Sequence, residues 1–178
     1  MQTSIETYQF KPNEVIASIG AGGGLWEVGF ASTCDNLTFY LQDIQESLLN
    51  ASAIEEAILF WEKQNICNII SHFHPVIGTE TATNLPQNTF DKVLIINALH
   101  EFSFPEIILK DIQSILKPNG KLFIEETLAQ QPKEIHEGCG KLLFTENELI
   151  NLLQSHQFTL IQTVERDSFW KIFEFEKR

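Results

Sequence analysis

Val15-Ile-Ala-Ser-Ile-Gly-Ala-Gly-Gly-Gly24 is a run of five residues, mostly apolar, that breaks directly into glycine. It predicts a short buried strand feeding a tight turn. Leu37 to Leu41, rich in β-formers and ending at Gln42-Asp43, predicts a second strand, and the gap between the two has room for one crossover helix. Ala51, Ile54, Ala57, Ile58 and Trp61 recur at helical spacing and predict a helix with one buried stripe. A third strand follows, from Ile66 to Ile70 or from the nearby Val76-Ile77. Lys92-Val-Leu-Ile-Ile96 is apolar on both faces, as a central parallel strand covered by helices must be.

The second half repeats the alternation. Ser103 to Glu106 has the form of a capping box, with Pro105 in the first turn, and Ile108, Ile112 and Ile115 continue as a buried stripe. That helix should stop at Lys117-Pro-Asn-Gly120, before a strand at Lys121 to Glu125. Thr145 and Glu148 cap a further helix carrying Leu149, Leu152 and Leu153. Phe158 to Val164 and Phe169 to Phe175 lie so close together that they must pair as a hairpin. The fold predicted is α/β: a seven-stranded, mostly parallel sheet with helices on both faces, closed by a C-terminal antiparallel hairpin. It should form one domain over residues 1–178, with a short N-terminal extension at 1–14.

Charge narrows the partners. The net charge is −12, and Arg166 and Arg178 are the only arginines. Nucleic acid is excluded as an expected partner because its phosphates need basic groups, and the usual bidentate clamp for anionic substrates is missing as well. A small neutral or cationic molecule fits better. No apolar stretch approaches the roughly 20 residues of a membrane span, and Met1 to Pro12 lacks the pattern of a signal peptide, so a cytoplasmic protein without membrane contact is expected. Cys34, Cys67 and Cys139 are odd in number and widely spaced, as befits reduced packing residues.

Four segments together resemble the class I S-adenosylmethionine-dependent methyltransferases, over nearly everything from Val15 onward. Ile16 to Gly24 is similar to the family's first motif. Glu80 to Pro86 resembles the adenine-edge segment, Phe90 to His100 the fourth-strand signature, and Leu116-Lys-Pro-Asn-Gly-Lys-Leu-Phe-Ile124 the turn into strand five. The resemblance implies S-adenosylmethionine as cofactor and transfer of its methyl group to an acceptor, a small molecule by the charge argument. It implies that Gly20, Ala21, Gly22 and Gly24 bring backbone close to the methionine portion. Asp43, about 20 residues past the glycines, would bind the ribose hydroxyls. Ile44 would pack on adenine, Glu80 or Thr81 would meet its amine, and Asn97 would reach the methionine end. His100, just beyond the fourth strand, would attend the acceptor as proton acceptor or orienting group.

Each of these residues also has a plainer role. Asp43 could cap the next helix, His100 could satisfy a local hydrogen bond, and Glu101 reads as a solvated first-turn residue. His72 and His74 could share a strand face, with His136 and Cys139 as further ligands, but no compact set follows zinc-site spacing and no metal is expected. The aromatic tail of Phe169, Trp170, Phe173 and Phe175 reads as hairpin core. Two departures from the family pattern stand out: Ser18 occupies the place of an acidic residue, and only about 14 residues precede the first strand, which invites a partner subunit and a homo-oligomer. They leave a non-catalytic, methyltransferase-like binding domain as the rival reading. A nicotinamide-dependent oxidoreductase is a weaker one, because Leu25 stands where its motif needs a third glycine.

Overall fold

The computed structural model describes residues 1–65 and 67–178. One seven-stranded sheet organises them, in the order β3-β2-β1-β4-β5-β7-β6. The strands are β1 (Val15–Ile19), β2 (Thr38–Asp43), β3 (His72–Ile77), β4 (Phe90–Ile96), β5 (Leu116–Thr127), β6 (Phe158–Glu165) and β7 (Trp170–Lys177). Pairing is parallel from β3 through β5, while β7 runs antiparallel to both β5 and β6. This is the predicted sheet, hairpin included.

Helices cover both faces. α1 (Gln2–Tyr8), α2 (Leu25–Ala31) and α3 (Ala51–Asn65) lie on one side, where Tyr8, Phe30 and Ile54 pack with Phe39, Leu94 and Phe123 of the strands. α4 (Pro105–Ile115) and α5 (Glu146–Ser155) lie on the other, where Ile108, Ile112, Leu149 and Leu153 meet Val93, Ile95, Leu122 and Phe175. Successive strand residues face opposite ways, so β1 and β4, covered on both sides, carry apolar residues at nearly every position. No helix among the described residues is long and apolar enough to cross a membrane.

Four local expectations need correction. The third strand is His72–Ile77; of the alternative Ile66 to Ile70, residues 67–70 form the connection after α3, and Ile66 lies outside the described residues. As an edge strand it is largely exposed and accommodates Pro75, so it lacks the apolar run that marks a covered strand. Ser103 does not cap α4: Phe104 holds the N-cap position without a side-chain bond, and the Ser103 hydroxyl donates to Glu80 Oε1 at 2.8 Å instead. Phe169 is 54% exposed, whereas Phe173 and Phe175 are buried in the hairpin as expected. α4 ends at Ile115, and β5 already begins at Leu116.

The second capping box is present as predicted. Thr145 accepts from the Glu148 N–H, and Glu148 Oε2 accepts from both the N–H and the hydroxyl of Thr145. Thr145→Ala is expected to destabilise the protein by about 1 kcal/mol in urea unfolding, through loss of this cap.

Candidate active site

The strand order reverses at β1, whose neighbours β2 and β4 lead away in opposite directions. Open α/β sheets form their ligand crevice past the carboxyl ends of the strands at such a point. A cleft of about 420 Å³ lies there, lined by Gly20, Gly22, Asp43, Ile44, Glu80 and Asn97 among others. A second cavity of about 500 Å³ sits at the opposite ends of the strands. Three of its four lysines are paired with an acid, Lys92 with Glu14, Lys117 with Asp91 and Lys121 with Glu174, which leaves little free charge for a ligand.

The glycine loop is tied to β2 by main-chain bonds. The N–H groups of Gly20 and Ala21 both donate to the Gln42 carbonyl at 2.9 Å. Gly20 (φ 73°) sits against Ala98, so a Cβ there would stand 2.7 Å from the Ala98 methyl carbon. Gly22 (φ 54°) has nothing within 4 Å of that position. Gly20→Ala is therefore expected to cost about 2 to 4 kcal/mol, the left-handed penalty plus overpacking, and Gly22→Ala only about 1 to 2 kcal/mol, the backbone penalty alone. Denaturant unfolding of the two variants checks the difference.

Asp43 is buried at the end of β2. Its Oδ2 accepts from the Gly22 N–H and its Oδ1 from the Gln45 N–H, both at 2.9 Å. It does not cap the next helix, which begins at Ala51 and is capped by Asn50 Oδ1, accepting from the Ala53 N–H at 3.1 Å. Ile44 and Leu48 leave apolar surface at the cleft rim, 50% and 46% exposed. Thr79 and Glu80 line the cleft, whereas Thr81 turns aside and its N–H donates to Thr79 Oγ1. Asn97 (φ 49°) is in the left-handed region, its N–H donating to the Glu125 carbonyl at 2.6 Å. Ala21 and Gly24 shape the loop from behind: Gly24 is the N-cap of α2 and its N–H donates to the Ala21 carbonyl.

A carboxyl does stand beside Ser18, supplied by Glu27 of α2. Ser18 Oγ donates to Glu27 Oε1 at 2.5 Å, with both residues buried. Burial pushes the Glu27 carboxyl up to about 7, against the bond from Ser18, which favours ionisation. The native state thus keeps a proton that the unfolded chain releases above about 4.5. Stability should fall as pH rises from about 4.5 to about 7, by about 3 kcal/mol from this residue. Glu27→Gln should lack that contribution, so the difference in unfolding free energy between wild type and variant should move in the variant's favour by a similar amount across this window.

His100 follows β4 in a single 3-10 turn, Leu99–Glu101. Its Nδ1 lies 2.8 Å from Glu126 Oε2, and Glu126 Oε1 accepts from the Leu99 N–H at 2.7 Å. Burial alone would lower the imidazole pKa, but the bond to Glu126 and the charges of Glu126 and Glu101 raise it. The ring does not line the cleft. Its neighbours Ala98 and Glu101 do, joined by Lys141 from the segment between β5 and α5. His72 and His74 lie apart on the exposed edge strand, His74 against the Tyr40 ring.

A second buried polar group was not foreseen from the sequence. The Tyr8 hydroxyl donates to Glu125 Oε2 at 2.5 Å, and Arg166 pairs with Glu125 Oε1 while stacking over Trp26 and Trp170. Burial and the nearby Glu125 carboxylate raise the Tyr8 pKa well above its ordinary value. The visible signal was two acids ending an apolar strand, Glu125-Glu126, which only buried partners can accommodate.

A family model described as a methyltransferase domain matches residues 5–163. The chain belongs to the class I S-adenosylmethionine-dependent methyltransferases. The cofactor of this methyltransferase domain is S-adenosylmethionine, and the sheet agrees with solved relatives. A SAM-dependent methyltransferase from Aquifex aeolicus superposes with a TM-score of 0.74 at 19% identity, over 98% of this chain and 87% of the other. The 1,6-didemethyltoxoflavin-N1-methyltransferase of Burkholderia thailandensis, solved with 1,6-didemethyltoxoflavin and S-adenosylhomocysteine, gives 0.71 at 20%, over 98% and 75%. The [4+2]-cyclase SpnF gives 0.74 at 13%, over 99% and 80%, so the methyltransferase fold also hosts other chemistry. Among curated proteins, none matches the sequence.

Proposed function

We propose that this methyltransferase methylates a small molecule, holding its cofactor in the cleft past β1, β2 and β4. The observation that carries the reading is convergence: Gly20, Gly22, Asp43, Ile44, Glu80 and Asn97, drawn from four separate segments, line one cleft. The open space over Gly22 is a cradle that a side chain would fill, and the residues fit the cofactor's chemistry. When bound, the cofactor supplies an electrophilic methyl group on a sulfonium. Gly20, Ala21, Gly22 and Gly24 keep the loop backbone close to its methionine portion, and Asp43 accepts from the ribose hydroxyls. Ile44 covers the adenine face. Glu80 takes the amine edge, with Thr81 bracing the turn through Thr79, and Asn97 serves the methionine end. The protein's main task is then to hold the reactants in line, worth about 7 to 11 kcal/mol in favourable cases.

On the acceptor side, His100 stands behind the cleft wall with its Nδ1 committed to Glu126, and its role there is to position its neighbours. A small acceptor agrees with the scarcity of arginine and with the 1,6-didemethyltoxoflavin bound by the similar Burkholderia protein. Thermal shift with S-adenosylmethionine or S-adenosylhomocysteine tests the cofactor half. Ligand at about 100 times its dissociation constant should stabilise by about 2.7 kcal/mol, or about 5 to 10 °C, while a nicotinamide dinucleotide should do nothing. The absence of a shift at saturating cofactor would favour the non-catalytic rival.

A further inference from the structure

We propose that His100, His136 and Cys139 form a binding site for a divalent transition-metal ion, zinc by its ligand chemistry, beside the cofactor cleft. One ligand atom from each lies within 4.8 Å of the others, although His100 follows β4 and the other two belong to the segment between β5 and α5. His136 Nδ1 stands 3.3 Å from Cys139 Sγ, and the His100 and His136 rings have centroids 5.0 Å apart.

A separate observation points to a missing partner. With Nδ1 against Glu126, His100 Nε2 is buried and finds no hydrogen-bond partner among the described residues. The nearest carboxylate oxygen, Glu101 Oε1, is 3.8 Å away, too far for a hydrogen bond. A buried polar atom left unpaired carries its full desolvation cost, and a metal ion at Nε2 would remove that cost. A carboxylate behind the distal nitrogen of a histidine is the usual support of a metal-binding imidazole, because it sets the tautomer and fixes the ring.

The backbone prepares the other two ligands. The His136 N–H donates to the Lys141 carbonyl and the Gly140 N–H to the His136 carbonyl, both at 2.8 Å, and Ile135 and Leu142 close the turn with a β-bridge. The sequence spacing does not announce a zinc site, but the turn brings a histidine and a cysteine two residues apart close enough to reach one ion together. Two imidazoles and a thiolate suit zinc and its transition-metal neighbours, not magnesium or calcium, which take oxygen ligands. Three protein ligands leave a fourth position open, as catalytic zinc sites do. Glu101, adjacent to His100, and Lys141, two residues after Cys139, both line the cleft, so the ion would sit at its wall.

Cobalt titration of chelator-treated, reduced protein tests the site without cofactor or acceptor, so its outcome is independent of whether methyl transfer is found. One equivalent of Co²⁺ should produce a thiolate charge-transfer band together with the intense visible bands of a tetrahedral ion, and Zn²⁺ should displace both. Cys139→Ser should remove the charge-transfer band, whereas Cys34→Ser and Cys67→Ser should leave it unchanged. His136→Ala should weaken binding at least about tenfold, and Glu126→Gln by about 10- to 100-fold. Cys139 and His136 lie on a surface turn, so their variants should keep the wild-type circular dichroism. Absence of a thiolate band, or a band that survives Cys139→Ser, would overturn the proposal.

Discussion

Asp43→Ala should abolish the thermal stabilisation given by S-adenosylhomocysteine while leaving a folded protein. Hydrogen bonds to a charged group contribute about 1.5 to 3 kcal/mol each, so losing a carboxylate that accepts from two ribose hydroxyls should weaken binding by about 100-fold or more. The variant also frees the N–H groups of Gly22 and Gln45 and should unfold somewhat earlier by itself. The shift must therefore be read against the variant's own baseline. Asp43→Asn, which keeps an acceptor but not the charge, should retain part of it. A full shift in Asp43→Ala would remove Asp43 from the cofactor site and leave it only the role of tying the glycine loop to β2.

Arg166→Ala should destabilise the protein by about 3 to 5 kcal/mol, measured by urea unfolding near neutral pH. Removing one partner of a buried ion pair leaves the other charge uncompensated, and Glu125 is 1% exposed. The loss of stacking on Trp26 and Trp170 adds to the effect. The combined replacement of Tyr8→Phe, Glu125→Leu and Arg166→Met tests the cause, since it removes every polar end and retains apolar volume. It should recover most of the lost stability. If the triple variant is as unstable as Arg166→Ala, packing of the guanidinium, not the buried charge, carries the effect.

These two residues also mark how far the sequence could be read. β1 and β4 were placed nearly residue by residue because both faces of each are covered, so their apolar runs are unbroken. β3 was placed poorly for the converse reason: an edge strand with exposed histidines and a proline carries little hydrophobic signal. α1 escaped notice because seven residues with Ser4 and Thr7 on the buried side do not make an apolar stripe. The places of Asp43, Gly20 and Gly22 at the cleft were legible because they sit at fixed distances from a strand end. Glu27 beside Ser18 was not, and neither was the meeting of His100 with His136 and Cys139. Such contacts depend on how a helix or a loop folds back over the sheet, which local spacing does not encode.

Glu125 and Glu126 are successive residues of β5, and their side chains leave the sheet on opposite faces. One reaches Tyr8 and Arg166, the other Leu99 and His100. The strand is thus a shared spindle: its register alone decides which carboxylate anchors the N-terminal helix and which steadies the histidine. A slip of one residue, about 3.3 Å, would exchange the two and unseat both at once. The two faces of the molecule are mechanically geared to each other through β5, and neither anchor can be reset along the strand without disturbing the other.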